Sequence, residues 1–549
     1  LIGHGHATVV ACRRFASTGG ILSEVQNLRK NRFIRTTAVL AAAGLVSAAC
    51  GARVAPYEAS TAAASNTSQT TTGNNSPSQN GGTATTIGGS AGGSHSSSST
   101  QIVGSASTKN AGSQGVGPTG AVAGNTGPTP TVPGGASVTA ANMTPATFPF
   151  DPQQQAALCT GASGNTSSAP GVTPTSISVG NVSGITGLIP SSFTPGYQAV
   201  LSAFDAVNRF GGICGHQLKL KYEDDQQNAS TNQADVQDLI PNVLAFVGSL
   251  SDADNGGVNA MVAAGTPDMG PAINTNRSNS SVYWSATGGS VIIRNGRAYI
   301  INSWLKGLQA NHDLPSSMAI LSYSIAISQQ AGEEFATAFQ QAGVKICFHD
   351  YNIEAGAQGT SIPSDVRQMQ AAGCGGVYTT MDVVGNANML DAMANNNYHP
   401  PLIAVTYEGY TPDQISTAGQ QQSQGLQVAL NSVPLTDPNP GVQLYQQELG
   451  TYEPGQGPSE FGLESWADAE MFIYALLKAG RNPTRASLTN ALSQITGWTT
   501  EGAFGPYAPR DRTGETCATD VVVKGNAFVR DWPSQGLFCG GQLIDVGPA

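Results

Sequence analysis

The stretch Gly171-Val-Thr-Pro-Thr-Ser-Ile-Ser-Val-Gly180 continues through Tyr197, Val200, Leu201, Phe204 and Val207 to Gly211-Gly212-Ile213-Cys214-Gly215 and Leu218-Lys-Leu-Lys-Tyr222-Glu-Asp224-Asp225. Its reading decides the fold. Ile177 and Val179 alternate with polar neighbours as in a strand, the middle repeats apolar residues at helical spacing, and Leu218, Leu220 and Tyr222 alternate again. A strand, a helix and a strand joined over this length make the two strands parallel neighbours with a right-handed crossover. An α/β sheet starts here.

The whole chain sets the bounds around that unit. Its 549 residues suffice for two or three domains, yet only 11% are charged and 67 are glycine, which points to a long unstructured part. From 51 to about 144 the chain is Ser, Thr, Gly, Asn, Ala and Pro with hardly a charge. Such a composition cannot bury enough apolar surface to offset ordering entropy, so 51–147 is expected to be a disordered linker. Its reach would be roughly 50 to 60 Å. The net charge of -11 and the absence of a Lys/Arg cluster argue against nucleic acid as a partner.

Ahead of the linker, Arg29, Lys30, Arg32 and Arg35 precede the apolar run 38–46 and Ser47-Ala48-Ala49-Cys50. Basic, then apolar, then small residues form a signal peptide, and the run is too short to span a bilayer. The terminal cysteine makes it resemble a bacterial lipoprotein signal, with Ser47 where leucine is usual. Residues 1–50 are thus an upstream extension and signal, Cys50 the lipidation site, and the membrane a partner through that lipid. Cys159, Cys214, Cys347, Cys374, Cys517 and Cys539 remain, an even number that suits an oxidising compartment. Fifteen pairings are possible. Pairing neighbours in sequence is favoured, because each bridge then closes a loop inside one structural unit, at about 3 kcal/mol apiece.

Beyond 148 the chain alternates β and α patterns. Residues 148–169 read as an extension stapled to the core by Cys159. A strand at 243–248 opens into Ser249-Leu-Ser251-Asp252-Ala-Asp254-Asn255, and a second loop follows at Pro267-Asp-Met-Gly270-Pro-Ala272-Ile-Asn274-Thr275. In open parallel sheets ligands sit beyond the carboxyl ends of the strands, where these loops lie. A helix is expected over 291–308, then strands near 318–323, 344–348, 376–380 and 402–406 with helices between them. A strand at 426–433 would return to the first lobe, helices follow within 441–495, and 498–507 would cross once more. The expected division is 148–286 and 433–499 for one lobe, 287–432 for the other, and 500–549 for the hinge return and terminal strands.

Little chemistry of an enzyme is visible. His216, His312, His349 and His399 are scattered without HExxH or paired carboxylates, no G-x-x-x-x-G-K-[ST] loop occurs, and Gly88-Gly-Ser-Ala-Gly92 lies in the linker away from any strand or helix. No catalytic residue, metal or cofactor is implied.

The segments "ISVGNVSGITG", "AFDAVNRFGGICGHQLKLKYEDD" and "LAFVGSLSDADN" resemble the opening of type I periplasmic binding proteins, in particular the branched-chain amino-acid-binding subunits of ABC importers. The resemblance runs from about Gly171 to the C-terminus. It implies two doubly wound Rossmann-like lobes joined by a three-strand hinge, with a ligand clamped between first-lobe loops and a second-lobe acid. Carried over by motif, the ligand-binding positions are Ser249, Ser251, Asp252, Ala272, Asn274, Tyr378, Asp382 and Glu408. Glu408, in Thr406-Tyr-Glu-Gly409, stands where the family's ammonium-binding acid lies. Asp252 falls where relatives place a hydroxyl residue, and Asp382 and Ala331 stand near or at positions of ligand-packing tyrosines. Acids there would repel a ligand carboxylate and suit an amine, a polyol or another donor-rich molecule; Asp252 could instead cap the helix after it. The implied protein is a monomeric, extracytoplasmic, lipid-anchored binder of a small polar ligand, an amino acid or related compound, that delivers it to ABC permease subunits. A sensor read by a signalling partner, or a surface protein that has lost binding, would look alike.

Overall fold

A computed structural model describes residues 137–288, 291–356, 360–512, 514 and 516–548. The signal segment, Cys50 and the linker up to 136 lie outside the described residues.

The stretch 171–225 forms a parallel strand pair. Strand β1 (Ser176–Ser183) runs beside β2 (Gln217–Asp224) in register from Ser176 opposite Gln217 to Ser183 opposite Asp224, with helix Thr194–Asn208 as the crossover. All eight residues of β1 are buried because β1 is an inner strand. Strands β3 (Phe246–Val247), β4 (Asp268–Met269) and β5 (Tyr283–Trp284) extend the sheet in the order β2-β1-β3-β4-β5, each pair parallel. Ala199, Val200, Ala203, Phe204 and Val207 of the crossover helix pack on the long helix Glu460–Ala479 in the first core. That 20-residue helix is buried on nearly every side, its apolar residues packed in the core and Glu460, Glu464, Asp468 and Glu470 buried with them.

Strands β6 (Ile292–Arg294) and β7 (Arg297–Ile301) form an antiparallel hairpin, where a helix over 291–308 was expected. The helix there begins only at Ser303 and runs to Asn311. The turn residues Asn295 and Gly296 have φ of 53° and 71°, and an Asn-Gly pair between alternating apolar residues is a strong short hairpin signal. The apolar residues of 291–301 also fit a helical period, but the Asn295-Gly296 turn specifies a strand pair.

The second sheet contains β8 (Ser317–Tyr323), β9 (Lys345–Ile353), β10 (Gly376–Thr379), β11 (Leu402–Val405), β12 (Leu426–Leu430), β13 (Thr519–Lys524) and β14 (Ala527–Trp532). Its order is β14-β13-β12-β11-β10-β8-β9, parallel from β9 to β12 and antiparallel at β13 and β14. β12 therefore belongs to this sheet, where a strand returning to the first lobe was expected. Its parallel partner β11 holds it there, and the return follows Leu430. The last strand, β15 (Leu543–Pro548), pairs with β7 in a small third sheet.

The chain thus passes between the two large sheets after Trp284, after Leu430 and after Phe504. Ser432 bridges Phe504 beside these passages, and Thr519 Oγ1 donates to the Ser432 carbonyl. Bridges join Cys159 to Cys214, Cys347 to Cys374 and Cys517 to Cys539, each pairing neighbours in sequence.

Candidate functional site

One cavity of about 260 Å³ lies between the two large sheets. Its walls come from the carboxyl ends of strands on both sides: Ile189 and Phe193 after β1, Asp252 after β3, and Pro271 to Ile273 after β4. The second sheet supplies Tyr323 and Ile325 after β8, Thr380 and Asp382 after β10, Thr406 to Glu408 after β11, and Asn431 after β12. The mouth is shut. Leu188 Cδ1 sits 3.2 Å from where a Gly356 Cβ would be, and the rings of Tyr407 and Phe461 meet edge to face at 5.1 Å.

Five of the expected ligand-binding residues, Asp252, Ala272, Tyr378, Asp382 and Glu408, line this cavity. Ser249, Ser251 and Asn274 do not, because their polar groups are engaged inside the first-lobe loops. Ser249 Oγ accepts the Val182 N–H at 3.1 Å, and Ser251 Oγ accepts that of Ala253 at 3.0 Å. The Asn274 amide donates to the Asp252 carbonyl at 2.8 Å and to Asp254 at 2.9 Å. Asp252 does not cap the helix that follows; the N-cap of Val258–Ala264 is Gly257. Asp382 has the capping role instead, accepting the Gly385 N–H at 2.8 Å and the Tyr323 hydroxyl.

The loops are held by Arg277, which the sequence reading passed over. Its side chain is 1% exposed and reaches both carboxylate oxygens of Asp268 at 2.8 Å. It also donates to the carbonyls of Ser249 and Pro271 at 2.9 and 3.0 Å, and to Asp254 at 3.2 Å. Asp254 in turn accepts the N–H groups of Ile273 and Asn274. One guanidinium thus ties the loop after β3 to the loop after β4. A lone arginine in Asn274-Thr-Asn-Arg277, flanked by Asp254 and Asp268, was the available clue.

The cavity is electrostatically one-sided. Asp252, Asp382, Glu408, Glu464 and Glu334 line it, and no lysine, arginine or histidine is among its described lining residues. Burial pushes the Glu408 carboxyl up to about 8, helped by the Asp382 and Asp252 charges and opposed by a bond from Ser192. Burial, with Asp225 and Asp254 nearby, pushes Asp252 up to about 7. Glu408 Oε1, Asp252 Oδ1 and Glu464 Oε2 are shielded from solvent without a hydrogen-bond partner. Desolvated acids of this kind either hold a proton or await a donor. Glu464 was not foreseen. With Glu460 and Asp468 it stands at four-residue spacing on the long helix, which puts all three on one face.

Two lobes of doubly wound sheet, crossed three times by the chain and facing each other across a cavity at their strand ends, define a two-lobed solute-binding protein. A periplasmic binding protein family model matches residues 176–527, and the chain belongs to that family of extracytoplasmic substrate-binding proteins. Its type I fold is shared with solved structures. The fatty acid ABC transporter substrate-binding protein from Thermomonospora curvata superposes with a TM-score of 0.56 at 16% identity, over 70% of this chain and 95% of that one. A branched-chain amino acid transporter substrate-binding protein from Streptococcus pneumoniae, in complex with isoleucine, gives 0.55 at 12% identity over 67% and 99%. A branched-chain amino acid ABC transporter protein from Thermus thermophilus with bound valine gives 0.55 at 16% over 66% and 97%. No curated protein sequence matches the chain.

Proposed function

We propose that this protein is the ligand-capturing subunit of an ABC importer, and that it closes on a small molecule presenting a hydrogen-bond-donating head, an amine or a hydroxyl-rich group. The observation that carries this reading is the pair Asp252 and Glu408, which face one cavity from opposite lobes, each with a shielded oxygen lacking a partner. A cationic or hydroxyl head between them would fill both vacancies and be attracted in a low-dielectric site. A free amino acid fits less well, because Asp252 stands beside its carboxylate and the serines that would bind one are engaged elsewhere. Asp382 and Tyr378 would complete the contacts, and Ala272 would leave room for the head. Ligand bridging both lobes favours the shut form through its extra affinity for that form, and a permease would read the shut form. No residue of the cavity is asked to do catalysis.

A lipid on Cys50 and the 51–147 linker would hold this monomeric domain near, and off, the outer face of the membrane. Cys50→Ala should then release the protein to the medium; retention at the membrane would remove the anchor from the proposal. The ligand reading is tested by a thermal-shift screen of amines, polyols, amides and amino acids. Binding raises the melting temperature with the logarithm of ligand concentration over Kd. Amines or polyols should stabilise the wild type and not Glu408→Ala. No response to any compound would favour a surface protein that no longer binds.

A further inference from the structure

Behind the acids the cavity continues into the second lobe, and there its chemistry changes. Helix Ala326–Gln341 turns Ile327, Ala331 and Phe335 toward it at four-residue spacing. Ile300 of β7, Trp304 of the helix behind it and Tyr378 of β10 add apolar walls, and the one acid of that helix in the lining, Glu334, accepts from Gln330 at 2.8 Å. These walls are braced. The Phe335 and Tyr378 rings lie 4.4 Å apart and the Trp304 and Tyr378 rings 5.7 Å apart, while the Trp304 indole N–H donates to the buried Asp520 at 2.5 Å. A chamber lined this way keeps its shape when empty. Ala331 is a small residue on that helix face and lines the cavity.

We infer that this inner chamber receives an apolar group, so that the ligand is an amphiphile whose donor head meets Asp252 and Glu408 and whose hydrocarbon or aromatic body lies against Trp304, Phe335 and Tyr378. The inference rests on the head-group reading above and adds the other end of the molecule. Two further observations support it. Tyr378 is 3% exposed, and among the described residues its phenol has no hydrogen-bond partner, so it offers one donor to an otherwise apolar guest. Size is the second. A dry cavity of about 150 Å³ lined by Leu, Ile and Phe takes benzene, so 260 Å³ corresponds to on the order of ten non-hydrogen atoms. That volume holds head and body together.

The test is a series of primary n-alkylamines from ethylamine to dodecylamine, with the matching alcohols. Each is titrated calorimetrically into the purified protein below its aggregation concentration. Affinity should tighten by about fourfold per methylene and level off near eight to ten carbons, at one molecule per chain. The heat-capacity change should become more negative along the series. Ala331→Trp, which fills the chamber, should move the plateau to shorter chains; should that variant not fold, the wild-type series decides alone. Binding that does not depend on chain length overturns the chamber and leaves the head reading standing. Chain-length dependence among the alcohols with no amine bound supports the chamber and overturns a cationic head. Binding of several molecules per chain marks adsorption to the surface and overturns the inference.

Discussion

Arg277 shows how much of the site rests on one side chain that need not touch the ligand. Its guanidinium neutralises Asp268 and Asp254 and collects two loop carbonyls, so removing it strands two buried carboxylates. Breaking a buried charge pair from one side costs roughly 3–5 kcal/mol. Arg277→Met should therefore lower the urea midpoint by about that equivalent, and weaken ligand binding because the loops carrying Asp252 and Ala272 lose their tie. Unchanged stability in the denaturation curve would show that the loops hold themselves. Arg277→Lys should recover little, since an ammonium cannot reach both Asp268 oxygens and two carbonyls at once.

At the scale of elements, two glycines separate backbone strain from crowding. Gly296 ends the β6–β7 turn at φ +71°, with nothing within 4 Å of an added Cβ. Gly296→Ala should cost about 1 kcal/mol, from the left-handed backbone alone. Gly248 leads β3 into the site loop at φ +65°, and its added Cβ would lie 2.3 Å from Val200 Cγ2. Gly248→Ala should cost about 3 kcal/mol, strain and overpacking together. Chemical denaturation of both variants checks the order, and equal losses would refute it. The hairpin matters beyond its stability, because β7 places Ile300 and Ile301 in the cavity wall. Its Asn-Gly turn was present in the sequence and outvoted by apolar periodicity, whereas the parallel β1–β2 unit was legible because strand, helix and strand each had the length and period that no other arrangement uses.

Across the whole molecule, acids whose burial outweighs every favourable neighbour set the response to pH. Burial raises Glu408 and Asp468 to about 8, and Asp252, Glu334 and Glu460 to about 7. Between the ordinary carboxylate range and these values, the folded protein holds protons that the unfolded chain has released. The unfolded state then binds fewer protons than the native one, so stability falls as pH rises through this window. The ligand-free protein should melt at a higher temperature at pH 5.5 than at pH 8, and Glu408→Gln should flatten part of the slope. A melting temperature that climbs with pH would contradict the assignment of these acids as protonated. The same helix carries Glu460, Glu464 and Asp468 on one face, so much of this response comes from the element that packs the first core.

The chain order alone determined the β/α alternation, the resemblance that names the family, the even set of cysteines and eight candidate ligand positions, of which Asp252, Ala272, Tyr378, Asp382 and Glu408 line the cavity. Those features live in local period, turn chemistry and motif, which are written within short stretches. Only the tertiary structure decided that Ser249, Ser251 and Asn274 are spent inside their loops, that Arg277 binds those loops together, and that β12 stays with the second sheet. It also brought Ile300, Trp304, Ala331 and Phe335 around one chamber. Hydrogen-bond partners, charge neighbours and cavity walls come from elements tens to hundreds of residues apart, and a side chain's chemistry is fixed by what the fold sets against it.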